Sequence, residues 1–390
     1  MVIPSLKTIL LVLLAWVFLE WLRRVAWMRS LVGKNPPIPP LDKDVTAPGR
    51  ISVIVPARDE EKNIGNCLSH LIKQDHHDYE IIVVDDRSTD RTGHLAENFK
   101  KLSPVTLKVV RIEKLPPGWT GKNHGMFVAS KAASGEWLLF TDADTTHEPF
   151  CIRTALAKAE DEGADFLTLG PQVECRSFWE NTVQPQIVGS LALWFNSEEV
   201  NKQDSKKVLA NGQFILVRKK AYEAVGGNES VKNEVVEDVE LAKKFLAGGF
   251  KVLFLNGTRL YSTRMYTSLA QILNGWTRIF TYLFEKKIAP ILSKIVRLLV
   301  FNIFPFVVLT AEKILWISGS TSFSAAVFWA SLAVCTWIVV IRFNGNRMVR
   351  ANPWYAFLHP VGSVVMVWIL ASCVSRIATG GRSEWRGDRV

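Results

Sequence analysis

An α/β sheet domain joined to transmembrane helices is the fold class the sequence predicts, and three observations predict it. Between residues 50 and 141, β-branched runs alternate with segments whose apolar residues recur at helical spacing. Two of those runs, Ile81–Val84 and Trp137–Thr141, are followed by paired acids, Asp85-Asp86 and Asp142-Ala143-Asp144. Long apolar runs crowd both ends of a chain of 390 residues in which 48% are hydrophobic.

Thr8 to Leu22 is almost unbroken apolar sequence, flanked by Arg23-Arg24. No small-x-small cleavage site follows it, so residues 1–28 are expected to be a membrane anchor rather than a signal peptide. Residues 29–49 are rich in Pro, Gly and charge and read as a linker. The α/β domain is then expected over 50–268. Its strands are Ile51–Val55, Ile81–Val84, Leu107–Ile112, Trp137–Thr141, Asp165–Leu169, Gln213–Val217 and Lys251–Leu255. Helices are expected over Glu60–Gln74, Thr92–Lys101, Lys122–Ser134 and Asn233–Ala247. The opening βαβαβαβ order argues for a parallel sheet covered on both faces.

Residues 269–290, aromatic, apolar and basic, suit a helix lying in the membrane interface. The region 291–390 holds three runs, Val296–Ser318, Phe323–Arg342 and Trp354–Ile377, each near the ~20 residues that cross a hydrocarbon core. An Arg-rich tail at Arg376, Arg382, Arg386 and Arg389 argues for an inside C-terminus, which three spans after a cytoplasmic domain would not give. Pro360 is a point at which the last run can fold back as a re-entrant hairpin.

The formal net charge is +10, yet the basic residues flank apolar runs instead of forming one stripe. That pattern fits positive-inside topology and anionic lipid, and no nucleic-acid partner is expected. Five cysteines show no metal or disulfide spacing and fit a reducing compartment. The expected location is the inner cell membrane, multi-pass, with the α/β domain cytoplasmic.

In open α/β sheets, ligands bind at the carboxyl edge. Two carboxylates there, Asp142 and Asp144, suit Mg²⁺ or Mn²⁺ holding substrate phosphates. Asp85 and Asp86 can accept hydrogen bonds from a base or ribose. Pro56, Arg58 and Glu60 lie in an acid-rich turn that can contact a nucleoside or simply cap a helix, and Asp90 reads as a helix cap. Lys122, behind two glycines at a helix start, is a diphosphate contact or a solvated loop lysine. Glu237-Asp238 enters a helix, where acids also answer the helix dipole. His124, Trp179 and Trp194 read as structural, while Glu312 inside an apolar run needs a partner.

The ordered runs ISVIVPARDEE, IIVVDDRSTD, GKNHGMFVASKAASGEWLLFTDAD and VVEDVELAKK resemble family 2 glycosyltransferases over about residues 50–285. The resemblance implies a GT-A fold, a Rossmann-like mixed sheet with helices on both faces. It also implies a nucleotide-diphospho-sugar donor (a UDP-sugar above others), a divalent metal and inversion at the anomeric carbon. By resemblance, Asp85 and Asp86 bind nucleotide, Asp144 ligates the metal with Asp142 beside it, and Asp238 is the catalytic base. Glu237 is expected at the substrate beside it. More narrowly, LPPGWTGKNHG, Arg264-Met265-Tyr266 and Trp385-Arg386-Gly387 are similar to the membrane-bound branch associated with hopanoid and carotenoid glycosylation, with ceramide glucosyltransferases as neighbours.

Two departures matter. The Q-x-x-R-W motif of processive synthases is replaced by Gln271 to Arg278, whose Trp276 and Arg278 keep the residue types without the spacing. They are carried as expected substrate contacts. Phe127 stands where family members often have Asn. The expected function is transfer of one sugar to a membrane-lipid hydroxyl. The alternatives are a processive polysaccharide synthase and a non-catalytic nucleotide-binding scaffold.

Overall fold

The computed structural model describes residues 5–42, 47–195, 197–202, 205, 207–380, 384–385 and 388–389. It divides into two compact units. One comprises residues 34–173 and 195–265 with the last nine residues of the chain; the other comprises 1–33, 174–194 and 266–381. The expected continuous domain over 50–268 is therefore interrupted: Glu174–Trp194 belongs to the second unit. Arg382, Arg386 and Gly387 lie outside the described residues.

The chain opens with α1 (Leu6–Lys34), part of the second unit. The first unit is built on β1 (Ile51–Ala57), α2 (Ile64–Leu71), β2 (Tyr79–Asp86), α3 (Thr92–Leu102), β3 (Leu107–Ile112), α4 (Gly121–Ala132) and β4 (Trp137–Thr141). There follow β5 (Thr145–His147), α5 (Cys151–Asp161), β6 (Phe166–Gly170) and β7 (Gln172–Val173). After the excursion through α6 (Phe178–Trp194), the chain adds α7 (Ser197–Val200), β8 (Phe214–Arg218), α8 (Lys219–Ala224), α9 (Glu237–Ala247), β9 (Val252–Asn256) and β10 (Tyr261–Thr263).

Seven strands form one sheet in the order β3-β2-β1-β4-β8-β6-β9. Every pairing is parallel except those of β8, which runs antiparallel to both β4 and β6. The early alternation predicts a parallel sheet, and it is parallel through β4. It breaks at β8, which does not arrive by a short helical crossover from β6, the preceding strand of the same sheet.

The runs are apolar throughout because both faces are buried. Ile51, Val53 and Val55 pack into one core with Ile81 and Val83, while Ile54, Ile82 and Val84 pack into the other. This is the two-residue alternation of a strand. A second, three-stranded sheet, β5-β10-β7, was not anticipated; its strands have only two or three residues and leave no periodic signal.

The second unit contains α1, α6, α10 (Leu269–Leu283), α11 (Ile288–Leu298), α12 (Phe304–Ile317), α13 (Ala325–Met348) and α14 (His359–Ala378). A π-helical turn, Leu299–Ile303, joins α11 to α12. Among the described residues, three helical runs are long and apolar enough to cross a membrane: Ile288–Ile317, Ala325–Met348 and Pro353–Ala378. Pro360 does not break the last of these into a hairpin. It lies in the first turn of α14, where a missing N–H costs nothing, and the helix continues unbroken for 20 residues.

Glu312 finds its partner locally, accepting from the Ser324 N–H at 2.9 Å ahead of α13. Trp194 packs on Phe280 and Phe284, at centroid distances of 5.7 and 5.9 Å, as a structural tryptophan should. Trp179 stands edge-on to Phe178.

Candidate active site

The parallel strands β1, β2 and β4 share a carboxyl edge, and their ends carry the predicted acids. Because side chains alternate along a strand, Asp85 and Asp86 leave β2 on opposite faces. Asp85 lies against the start of α3 and Asp86 against the start of α4. A Cβ on Gly93 would come within 2.1 Å of Asp85 Oδ2, and one on Gly121 within 2.2 Å of Asp86 Oδ2. Glycine at both positions is what admits the carboxylates. Asp86 is buried and paired with Arg87 at 2.8 Å, and Asp85 accepts from the Ser88 N–H at 3.3 Å.

The turns after β1 and β2 are bonded to one another. Asp59 Oδ1 accepts from the Thr89 N–H at 2.8 Å, and Asp90 Oδ2 accepts from the Glu61 N–H at 3.0 Å. Asp90 Oδ1 also accepts from the Thr92 N–H at 2.9 Å, the capping role expected of it. Glu60 is buried, and its carboxylate accepts from Asn63 Nδ2 at 2.7 Å. Pro56 and Arg58 are half-buried at the end of β1.

Charged groups gather around Lys122. Its Nζ is 2.8 Å from Asp142 Oδ1 and 2.8 Å from Glu237 Oε1. Asp238, next along the first turn of α9, accepts from the Gly212 N–H at 2.7 Å through Oδ2 and from the Val239 N–H at 2.8 Å through Oδ1. Lys122, Asp142, Glu237 and Asp238, 116 residues apart at the extremes, thus form one cluster. Burial alone would lower the lysine's pKa, but Asp142 and then Glu237 outweigh it and raise that pKa well above the ordinary lysine value. Asp238 is pushed up to about 7, first by burial and then by the neighbouring Glu237 charge, with Lys122 pulling the other way.

A buried amide network aligns the two helix starts that deliver these groups. Asn123 Nδ2 donates to the carbonyls of Val231 at 2.9 Å and Glu234 at 3.1 Å, and its Oδ1 accepts from Asn228 at 2.8 Å. The Thr120 N–H donates to the Lys232 carbonyl at 2.8 Å. Sequence reading passed over Asn123 and Asn228. Two amides 105 residues apart give no local signal. Asn211-Gly212, a turn dipeptide directly before a strand, was the one available hint at the Asp238 contact.

Asp144, two residues beyond Asp142, is half-buried, and its Oδ1 accepts from Thr263 Oγ1 at 3.4 Å. Gln213, buried, donates to the same threonine oxygen at 2.8 Å. No group of three or more His, Cys, Asp or Glu ligands occurs among the described residues. Two hard carboxylates at a partly open edge nevertheless match a Mg²⁺- or Mn²⁺-type site, in which substrate phosphates and water complete the coordination. Trp276 and Arg278 belong to the other unit, on α10. Trp276 is buried there and donates to Gln184 Oε1 at 3.0 Å.

His124 is half-buried, burial lowers its pKa, and its ring stands edge-on to Trp119 at 5.4 Å. That placement suits the structural role expected of it.

A mixed α/β sheet whose carboxyl edge gathers a lysine and several carboxylates has the form of a ligand-binding enzyme domain. Residues 52–226 match the sequence model of Glycosyl transferase family 2. The observed sheet is mixed, as the sequence led us to expect. The chain is similar to 4,4'-diaponeurosporenoate glycosyltransferase of Staphylococcus aureus strain USA300, at 27% identity over 233 residues. That match spans 58% of this chain and 60% of the relative. Among solved structures, a mannosyltransferase from Pyrobaculum calidifontis, in complex with GDP-Man and Mn²⁺, aligns at 18% identity over 92% of this chain and 99% of that one, with a TM-score of 0.49. Glucosyl-3-phosphoglycerate synthase from Mycobacterium tuberculosis, in complex with Mn²⁺, UDP and glucosyl-3-phosphoglycerate, aligns at 19% identity over 58% and 76%, with a TM-score of 0.39.

Proposed function

We propose that this protein is an inverting, metal-dependent transferase that moves one sugar from a nucleotide-diphospho sugar to an acceptor on a membrane lipid. The observation that carries the reading is the Lys122 cluster, with Asp238 poised near neutral pH beside it. The helices of the second unit supply the reason for a lipid acceptor.

In this reading, Asp85 and Asp86 hold the nucleoside, with Pro56, Arg58 and Glu60 beside them. Asp142 and Asp144 would hold the divalent ion, which when bound offsets negative charge on the diphosphate. Lys122 exchanges part of its pairing with Asp142 for the diphosphate. Its charge is then spent on the leaving group as the anomeric C–O bond breaks. Asp238 takes the proton from the acceptor hydroxyl while that oxygen forms the new bond to the anomeric carbon. The products are the glycosylated acceptor, a protonated Asp238 and a nucleoside diphosphate. A carboxyl group whose pKa lies near 7 is ionised often enough to accept that proton and basic enough to be useful.

The name of the Staphylococcus relative is that of a carboxylate. A carboxylate acceptor, already ionised, would leave Asp238 nothing to deprotonate. The raised pKa of Asp238 favours the hydroxyl. The experiment incubates the full chain with radiolabelled UDP- and GDP-sugars and extracted lipid, then analyses the products. One sugar on an organic-soluble, base-stable product supports the reading. An ester cleaved by mild base would instead identify a carboxylate acceptor, and a water-soluble polymer would identify a synthase.

A further inference from the structure

Within the second unit, α1 and α11 present a charge cluster unrelated to any glycosyl-transfer residue. Glu20, on α1, meets three guanidinium groups: Arg23 at 2.7 Å, Arg24 at 3.2 Å and Arg297 at 3.0 Å. One carboxylate against three arginines leaves two positive charges uncompensated within this group. The carboxylate is only 10% exposed and Arg24 12%, so solvent does little for them; Arg23 and Arg297 are 61% and 46% exposed. Arg24 also lies 5.0 Å from the ring centre of Trp21 and 5.1 Å from that of Phe301, and its Nη1 donates to Asn302 Oδ1 at 3.2 Å.

The cluster borders a cavity of about 410 Å³ lined by Trp16, Glu20, Val296, Arg297, Val300 and Phe301. Its polar wall is thus Glu20, Arg297 and Ser293, and the rest is apolar and aromatic. Beyond it, α1 and α11 expose Val12, Trp16, Leu19, Leu292 and Val296. The π-helical turn Leu299–Ile303 forms part of the wall and is held by Trp21, whose Nε1 donates to the Phe301 carbonyl at 2.9 Å. Turns of this kind interrupt regular helices most often where a helix does something besides span.

We propose that this cavity is a binding site for the phosphate headgroup of an anionic membrane lipid, with its acyl chains along the exposed apolar faces of α1 and α11. Arg297, on the cavity wall, meets the phosphate directly, and exposed Arg23, paired to the same Glu20, adds positive charge beside it. Glu20 fixes the spacing of the guanidinium groups, and Arg24 remains a buried strut on Trp21 and Phe301. The site is independent of the glycosyl-transfer reading and stands or falls without it.

The test is native mass spectrometry of the full chain released from mixed micelles of phosphatidylglycerol and phosphatidylcholine. The wild-type protein should retain phosphatidylglycerol preferentially. Each of Arg23→Gln and Arg297→Gln should lower the preference about fivefold, the worth of one basic residue at an anionic surface. Both side chains are exposed, so the substitutions spare the fold. Ser293→Asp, a second exposed position on the cavity wall, should lower it too, without touching the arginine pairs. An unchanged preference in the Arg23→Gln/Arg297→Gln double variant, or in Ser293→Asp, overturns the proposal. Displacement of the lipid by millimolar inorganic phosphate also overturns it, because the site would then read a free anion and not a headgroup.

Discussion

Two clusters of charge, one in each unit, answer the same problem with opposite signs. Around Lys122, one ammonium meets Asp142 and Glu237, with Asp238 adjoining, so carboxylates are in excess. Around Glu20, one carboxylate meets three guanidinium groups, so cations are in excess. A half-buried cluster out of balance is costly unless something else supplies the missing charge. The first is built to receive a cation or to give up its lysine to an anion, and the second is built to receive an anion. The groups in excess also differ in kind. Carboxylates change protonation near neutral pH when crowded, as Asp238 does, whereas arginine stays charged. Only the first cluster can therefore move a proton.

Asp238→Asn tests that distinction hardest. Transfer to a hydroxyl acceptor should fall by about 10²–10⁴-fold while donor binding, measured by calorimetry, stays within a few-fold. Normal transfer in the variant would remove the base from Asp238 and make the two clusters chemically alike.

Asp144→Ala should cost about 10²-fold or more in turnover with at most a small fall in melting temperature, since the side chain is half-buried and holds only a long bond to Thr263 Oγ1 at 3.4 Å outside the core. Chelation by EDTA should reproduce the loss in the wild type. Full activity under either condition would mean that the carboxylate excess serves something other than a metal.

The pH dependence sharpens the comparison further. With its folded pKa raised to about 7, Asp238 contributes stability that is fully present below its unfolded value near 4 and is lost as pH rises through about 7. Transfer follows the opposite course and rises through the same range as the base ionises. Melting curves between pH 4 and 8 should show wild type losing stability relative to Asp238→Asn as pH increases. A flat difference would mean that Asp238 is ionised throughout.

Trp276→Phe is the smallest perturbation. It removes the bond to Gln184 and should lower stability by about 1 kcal/mol, read as a modest fall in melting temperature. Donor affinity should not change if the indole is structural. A large loss of donor affinity would restore Trp276 to the substrate contacts expected of it.

Much of the sheet was legible because its strands are buried on both faces and their acids mark where they end. Leu107–Ile112 and Trp137–Thr141 match their expected bounds. The cluster was legible only as separate pieces. Asp142, Glu237 and Asp238 stood out as acids and Lys122 as a loop lysine, but nothing local said that one ammonium would bridge two of them. The Asn123–Asn228 brace was invisible for the same reason: its partners meet only once the fold exists. The arginine–glutamate cluster was half visible. Arg23-Arg24 read as a flank of an apolar run, while the pairing with Arg297 depends on which helix lies beside α1.

The detour through α6 has a consequence for biosynthesis. Gln186, in the middle of α6, donates to the His359 carbonyl at 3.0 Å and accepts from Ser363 Oγ at 3.0 Å, both on α14. The ribosome makes those partners some 165 residues after α6 is complete. At elongation rates of about 5–20 residues per second, that is a wait of roughly 10–30 s. During it, Gln186 lacks its partners on α14 and keeps only a 3.4 Å approach to the Thr182 carbonyl, while Asn181 is already served by the Cys175 and Ser177 carbonyls. Nascent chains should therefore pass through a vulnerable interval that ends only when α14 emerges. A fragment stopping before residue 359 should leave Gln186 without its α14 partners, making α6 a target for quality-control proteases however well the sheet has formed.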